Sequence, residues 1–320
     1  MPKLIAFAAL AAAIACVVAT SAAARPPGVN GKIVTNATNL VTGEDQVYTV
    51  EPDGTDQRLV ANNAEVGQWS PDGHRIALVP DFGDELLFNP DTGSSTDLGL
   101  PFTLYPDLAL FCNAWSPDGD RLACESFGQT DPSLNGVYTL GSSDGGDLQR
   151  VTSAQGSFGD DCPGDYSPDG KRLVITRIGD TGITLDTVKA DGTGVRLLTG
   201  MNVNFCNGSW SPQRNEIVFS AHYPDYDYHS SIWIVHSDGS GLRQLPVPGC
   251  GGLISDQTTI GCFNPVWSPD GKKIAFGRNR ADEQRDLYTV NADGSGLFQV
   301  THTPEISEFN GDWGTHALTP

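Results

Sequence analysis

The sequence predicts an all-β protein, a six-bladed β-propeller of four-stranded blades whose ring is closed by the two ends of the chain. Three observations lead there. An aromatic-Ser-Pro turn recurs at Trp69, Trp115, Tyr166, Trp210 and Trp267, and a truncated copy ends at Trp313, with spacings of 46, 51, 44, 57 and 46 residues. Each interval carries a second, Asp-Gly-centred signature. No window shows sustained 3.6-residue periodicity with helix caps. A four-stranded unit repeated at that period is a propeller blade.

The elements of one blade follow from turn chemistry. Strand A ends at the aromatic, as in WSPDGHRIALV from Trp69, WSPDGDRLACE from Trp115, YSPDGKRLVIT from Tyr166, WSPQRNEIVFS from Trp210 and WSPDGKKIAFG from Trp267. Pro presets φ and Gly accepts φ > 0, so Ser-Pro-Asp-Gly is a tight turn into strand B. Strand C is the type VYTV from Val47, VYTL from Val137 and LYTV from Leu287, with a degenerate copy at Leu86. An Asp-Gly turn then leads into strand D, the hairpin signal. The repeat starts at strand B, with Gly31-Lys32-Ile33-Val34, and finishes at strand A, with Trp313. One C-terminal and three N-terminal strands therefore complete the sixth blade, which removes free sheet edges. Residues 25–320 are expected to form one domain, and the aromatic of each copy is expected to pack between blades.

The 37 Gly and 21 Pro residues of this 320-residue chain suit many turns, and 38% hydrophobic residues suffice for a core. A net charge of −20 repels phosphate backbones and anionic membranes, which argues against a nucleic-acid partner. Residues 1–24 read as a secretory signal peptide: Lys3, an apolar run from Leu4 to Ala19, then Ala22-Ala23-Ala24. An uncleaved anchor and a lipoprotein acylated at Cys16, in Ala13-Ile14-Ala15-Cys16, are the other two readings. No later apolar run is long enough to span a membrane.

Six cysteines remain: Cys112, Cys124, Cys162, Cys206, Cys250 and Cys262. An exported chain with an even number suggests disulfides. Centring a hairpin on Asp118 places Cys112 opposite Cys124. Cys250 and Cys262 share a D–A loop. Cys162 and Cys206 each lie four residues before the aromatic of consecutive blades. Three bridges, Cys112–Cys124, Cys162–Cys206 and Cys250–Cys262, are expected, with six free thiols as the alternative. No C-x-x-C pair supports zinc, and the repeated turn Asp residues are better read as turn formers than metal ligands. No metal or cofactor is expected.

The Trp-Ser-Pro-Asp-Gly repeat resembles that of TolB-type propellers, over Gly31 to Trp313. The same repeat occurs in the propeller domains of prolyl-oligopeptidase-like peptidases. The resemblance implies the fold more than an activity. TolB itself carries an extra N-terminal α/β domain and the peptidases an α/β-hydrolase domain, neither of which is expected in this chain.

Chemistry is sparse. Gly141-Ser142-Ser143-Asp144-Gly145 matches the nucleophile-elbow pattern, but it falls on a C–D turn rather than between strand and helix, so no hydrolase activity is expected at Ser143. The segment from Asp131 imitates an EF-hand start, but Ser142 stands where Glu is needed. The A–B and C–D turns are short and make one plain face. The B–C and D–A loops, at 127–136, 153–165, 200–208, 222–231 and 246–265, vary and share the other. Variable loops on a rigid frame are where function concentrates. Binding candidates there are His222, Tyr223, Asp225, Tyr226, Tyr228 and His229, with Asp160 and Asp161 adding negative charge near the channel mouth. The expectation is an exported, monomeric, non-enzymatic module that binds an envelope or secreted protein. The alternatives are a propeller enzyme acting on glycans, as lyase or hydrolase, and a small-ligand or cation sensor.

Overall fold

A computed structural model describes residues 28–317, apart from 81–84, 101–104, 129–130, 155–158, 181, 205, 224–226, 257, 281 and 283. The signal segment, Cys16, Asp225 and Tyr226 lie outside the described residues.

Six antiparallel sheets surround a central channel. In the first blade Ile306–Trp313 is the inner strand, followed outward by Ile33–Asn39, Asp45–Val50 and Arg58–Asn62. The C-terminal strand runs antiparallel to the N-terminal one, with Ile33 opposite Trp313 and Asn39 opposite Ile306. The closure anticipated from the frame of the repeat is therefore present. The other inner strands are Ala64–Trp69, Leu108–Trp115, Asp160–Tyr166, Ser209–Trp210 and Cys262–Trp267. In the fifth blade a short piece, Asn202–Val203, pairs with the same neighbour, Glu216–His222, as Ser209–Trp210 does. A single 3-10 turn, Pro132–Leu134, is the one helical element among the described residues. No helix among them is long and apolar enough to cross a membrane.

Each Ser-Pro-Asp-Gly turn closes in the same way. Ser70 Oγ donates to Asp72 Oδ1 at 2.6 Å, and Asp72 Oδ1 accepts from the His74 amide at 3.0 Å. Ser70 Oγ in turn accepts from the Arg75 amide at 2.9 Å. The pattern repeats at Ser116/Asp118, Ser167/Asp169 and Ser268/Asp270. These carboxylates are spent on their own backbone, which is the turn-former role.

The core is divided among the blade interfaces. Six apolar clusters each join residues of neighbouring blades, and each holds one anchoring aromatic. Trp267, for instance, packs with Val218, Ile232 and Ile234 of the fifth blade and Ile274 and Phe276 of its own. Truncating such a buried aromatic costs about 3–5 kcal/mol, so these side chains weld the ring.

All three expected disulfides form: Cys112–Cys124, Cys162–Cys206 and Cys250–Cys262, with Cα separations of 3.8, 5.0 and 5.7 Å. The hairpin register needs one correction. Next to the turn, Trp115 faces Leu122 and Ala114 faces Ala123; a bulge at Asn113 then shifts the ladder so that Cys112 faces Cys124. The pairing is right because the bulge makes up for a turn one residue wider than a centre on Asp118 allows. Two loop limits also move inward. Strand pairing already begins at Asp160 and Cys262, since both meet partners on the next strand, Ile178 and Arg278.

Candidate functional site

The channel wall is built by bulges in the inner strands, of which the one at Asn113 is an example. The inner strands are irregular two or three residues before the aromatic, at Gly67, Asn113, Gly164, Asn264-Pro265 and Gly311, and the fifth blade detours from Asn204 to Gly208 at the same level. A bulge re-aims its residue away from the ladder. Here it turns small and amide-bearing residues inward, around a cavity of about 210 Å³ lined by Asn36, Asn113, Asn207, Asn264, Asp165 and Asp312 among others. Only glycine fits some of these places: a Cβ on Gly164 would lie 2.4 Å from the Gly208 carbonyl oxygen. Residues just before the aromatic also tie one blade to the next. Asp312 Oδ2 accepts from the Trp69 amide at 3.1 Å, Asp165 Oδ2 from the Trp210 amide at 3.0 Å, and Ser209 Oγ from the Trp267 amide at 3.2 Å. The sequence signal for both devices was a small or polar residue repeated one to three places before the aromatic.

Asp160 and Asp161, expected to add negative charge near the channel mouth, are buried. Asp161 accepts a two-pronged bond from Arg177, at 2.8 Å to each carboxylate oxygen, which neutralises it. Asp160 is bonded to Glu125. Burial, and then the charge and hydrogen bond of Asp160, hold the Glu125 carboxyl well above the usual range. Glu125 Oε2 lies 3.2 Å from Cys206 Sγ. Glu125, Cys162 and Cys206 place a carboxylate oxygen and two sulfurs within 4.8 Å of one another, but the sulfurs are bonded to each other and are not thiolate ligands. Cys206 lines the channel cavity and is exposed.

The aromatic loop of the fifth blade is not isolated. His229 donates its amide to the Gly252 carbonyl at 2.7 Å, Tyr228 bridges Leu253, and Ile254 donates to the Asp227 carbonyl at 2.9 Å. The B–C loop of the fifth blade and the loop leading to the sixth therefore zip into one raised wall. The Cys250–Cys262 bridge pins its far side. The wall presents Tyr223, Leu253 and Ile254, which are 54%, 45% and 53% exposed. Tyr223 is braced edge-on against Trp233 with ring centroids 5.4 Å apart. Tyr228 and His229 are half-buried, and His222 Nδ1 engages the Tyr228 carbonyl at 2.9 Å, so these three support the wall. Leu253 and Ile254 were missed from the sequence because pairing between two loops leaves no local periodicity.

Ser143 sits exposed on a tight C–D turn, where Asp144 Oδ1 accepts from the Gly146 amide, with no helix following. Asp131 caps the 3-10 turn by accepting from the Ser133 amide. Both are turn or loop residues, as anticipated.

No protein-family model matches the sequence. An uncharacterized protein of Agrobacterium fabrum is 28% identical over 222 residues, covering 65% of this chain and 68% of that protein. Among solved structures, TolB from Acinetobacter baumannii superposes with a TM-score of 0.65 at 18% identity, covering 89% of this chain and 65% of the other. This chain thus spans about 65% of that TolB's length. A protein from Agrobacterium tumefaciens assigned to TolB gives 0.61 at 20% identity, over 90% and 93%. An oligogalacturonate lyase in complex with manganese gives 0.56 at 12% identity, over 85% and 79%. The six-bladed ring of this chain is the propeller fold found in TolB structures.

Proposed function

We propose that this chain is an exported, TolB-like propeller that binds a protein partner, in the cell envelope or outside the cell, on the face carrying the variable loops. The observation that supports this most is the loop wall. Its Leu253 and Ile254 are exposed on backbone paired with Asp227 and Tyr228, Tyr223 is exposed and braced on Trp233, and aromatic and aliphatic side chains held rigid are what interface cores use. Three disulfides suit an oxidising compartment outside the cytoplasm. A similarity of 12% to a lyase carries the fold alone, and the reading remains a binding module rather than an enzyme.

The test is capture from a native envelope extract and from culture medium with the purified mature domain as bait. A specific partner should be retained by the parent and lost from a Tyr223→Ala/Leu253→Ser double variant whose melting is unchanged. Equal capture by both, or no partner in either fraction, would contradict the proposal.

A further inference from the structure

Arg285 opens strand Arg285–Asn291 of the sixth blade, at the loop-bearing end. Its guanidinium carbon lies 4.0 Å from the centre of the Phe263 ring and 4.8 Å from that of Phe309. These two rings come from adjacent inner strands, Cys262–Trp267 and Ile306–Trp313. Each stands within two residues of the channel lining, at Asn264 and Gly311. The arginine is therefore held against both rings at the rim where the last blade meets the closing one. Gly261 permits the stack, because a Cβ there would fall 2.4 Å from the Phe263 ring.

What the guanidinium bonds to is informative. Its Nε donates to Asn279 Oδ1 at 3.3 Å, and its backbone amide to Ser307 Oγ at 3.2 Å. Among the described residues no carboxylate pairs with it, and its two terminal nitrogens have no hydrogen-bond partner, whereas Arg280 in the same blade and Arg177 in the fourth each hold an aspartate. The adjacent carboxylate, Asp286, is engaged by Arg280 at 3.0 Å and by Gln299 at 2.8 Å. Burial without an anion disfavours the charge of Arg285, so an incoming anion gains more here than at a solvated arginine.

We infer that Arg285, held between Phe263 and Phe309, is a docking point for a single carboxylate borne on an apolar stem. The two free nitrogens form a planar fork that matches a carboxylate in two-pronged fashion. The flanking half-buried rings offer apolar contact to the stem. A chain of net charge −20 repels dianions more strongly than monoanions, and a single guanidinium lacks the second cation a phosphate would call for. The carboxylate comes either from a peptide chain end or from a free organic acid.

The site can be tested independently of any protein partner. The whole mature domain is titrated, at constant ionic strength, with 3-phenylpropionate and with its neutral amide. In parallel it is titrated with Gly-Gly-Phe bearing a free or an amidated C-terminus. The Nε–H resonance of Arg285 reports binding. Saturable shifts are expected with the free acids and at least tenfold weaker effects with both amides. Arg285→Lys, which keeps the charge but loses the fork, should weaken the acids at least fivefold at unchanged melting temperature. Tighter binding of the peptide acid identifies a chain end; tighter binding of phenylpropionate identifies an organic acid. Acid and amide binding alike, no shift of Arg285 with either acid, or a folded Arg285→Lys that binds like the parent would overturn the inference. If the variant does not fold, the acid–amide comparison on the parent decides alone.

Discussion

Buried carboxyls give this acidic chain an unusual titration. Glu85 is buried between the second and third blades, where, among the described residues, its Oε2 accepts only the Cys112 amide at 3.3 Å and its Oε1 has no partner. Burial pushes its pKa up to about 8. Glu308, bonded by the Thr303 hydroxyl, is pushed to about 7, again chiefly by burial. Glu125 moves the same way beside Asp160. A carboxyl whose folded pKa exceeds its unfolded value contributes stability in full below about pH 4.5, and loses it as pH rises through the folded pKa. The exposed turn aspartates, such as Asp53, Asp191 and Asp293, are shifted down by hydrogen bonds to Thr and Ser, and matter only in strong acid. Between pH 5 and pH 8.5 the buried glutamates therefore dominate. Melting followed by circular dichroism should be highest near pH 5 and fall toward pH 8.5, by on the order of a few kcal/mol in total. Glu85→Gln, which cannot ionise, should flatten that slope. A stability that rises over the same range would show these groups to be solvated. Sequence could not reveal them: Asp160 and Asp161 read as loop charges, because nothing local says that strand pairing starts at Asp160 or that Arg177 reaches back to Asp161.

The same contrast holds for elements. Turns were legible because their chemistry is local: Ser, Pro, Asp and Gly bond within five residues of themselves. Bulges were not read, although Gly67, Gly164 and Gly311 stand at matching places, because a bulge is defined by the partner strand. That is why the hairpin pairing Cys112 with Cys124 came out right on an incomplete register. Non-reducing peptide mapping of the protein should link the Cys112 peptide to Cys124, and Cys162 to Cys206 across two blades. A Cys112 peptide joined elsewhere would displace the whole third blade. Cys250→Ser/Cys262→Ser should leave the ring folded, at a cost of roughly 2–4 kcal/mol. It should also loosen the wall holding Leu253 and Ile254, so that capture of the partner weakens more than melting does. Equal effects on both would argue that the wall is not the contact surface.

At the scale of the molecule, the ring was legible from the mismatch between the repeat frame and the ends of the chain, a long-range fact encoded in plain spacing. Its closure rests on Ile306–Trp313, whose Trp313 is buried with Ile33, Val50, Ala275 and Leu287, and whose Asp312 reaches the Trp69 amide. One strand thus joins the first, second and sixth blades, sets the rim at Phe309, and holds the loop face in one shape. The most direct measurement is thermal and denaturant unfolding of the propeller lacking residues 306–320, with the excised peptide added back in trans. The account predicts loss of cooperative unfolding throughout the domain on deletion, because an inner strand and two blade interfaces go together, and recovery as the peptide binds. A truncated domain that unfolds cooperatively at the midpoint of the parent, indifferent to the peptide, would contradict the closed ring.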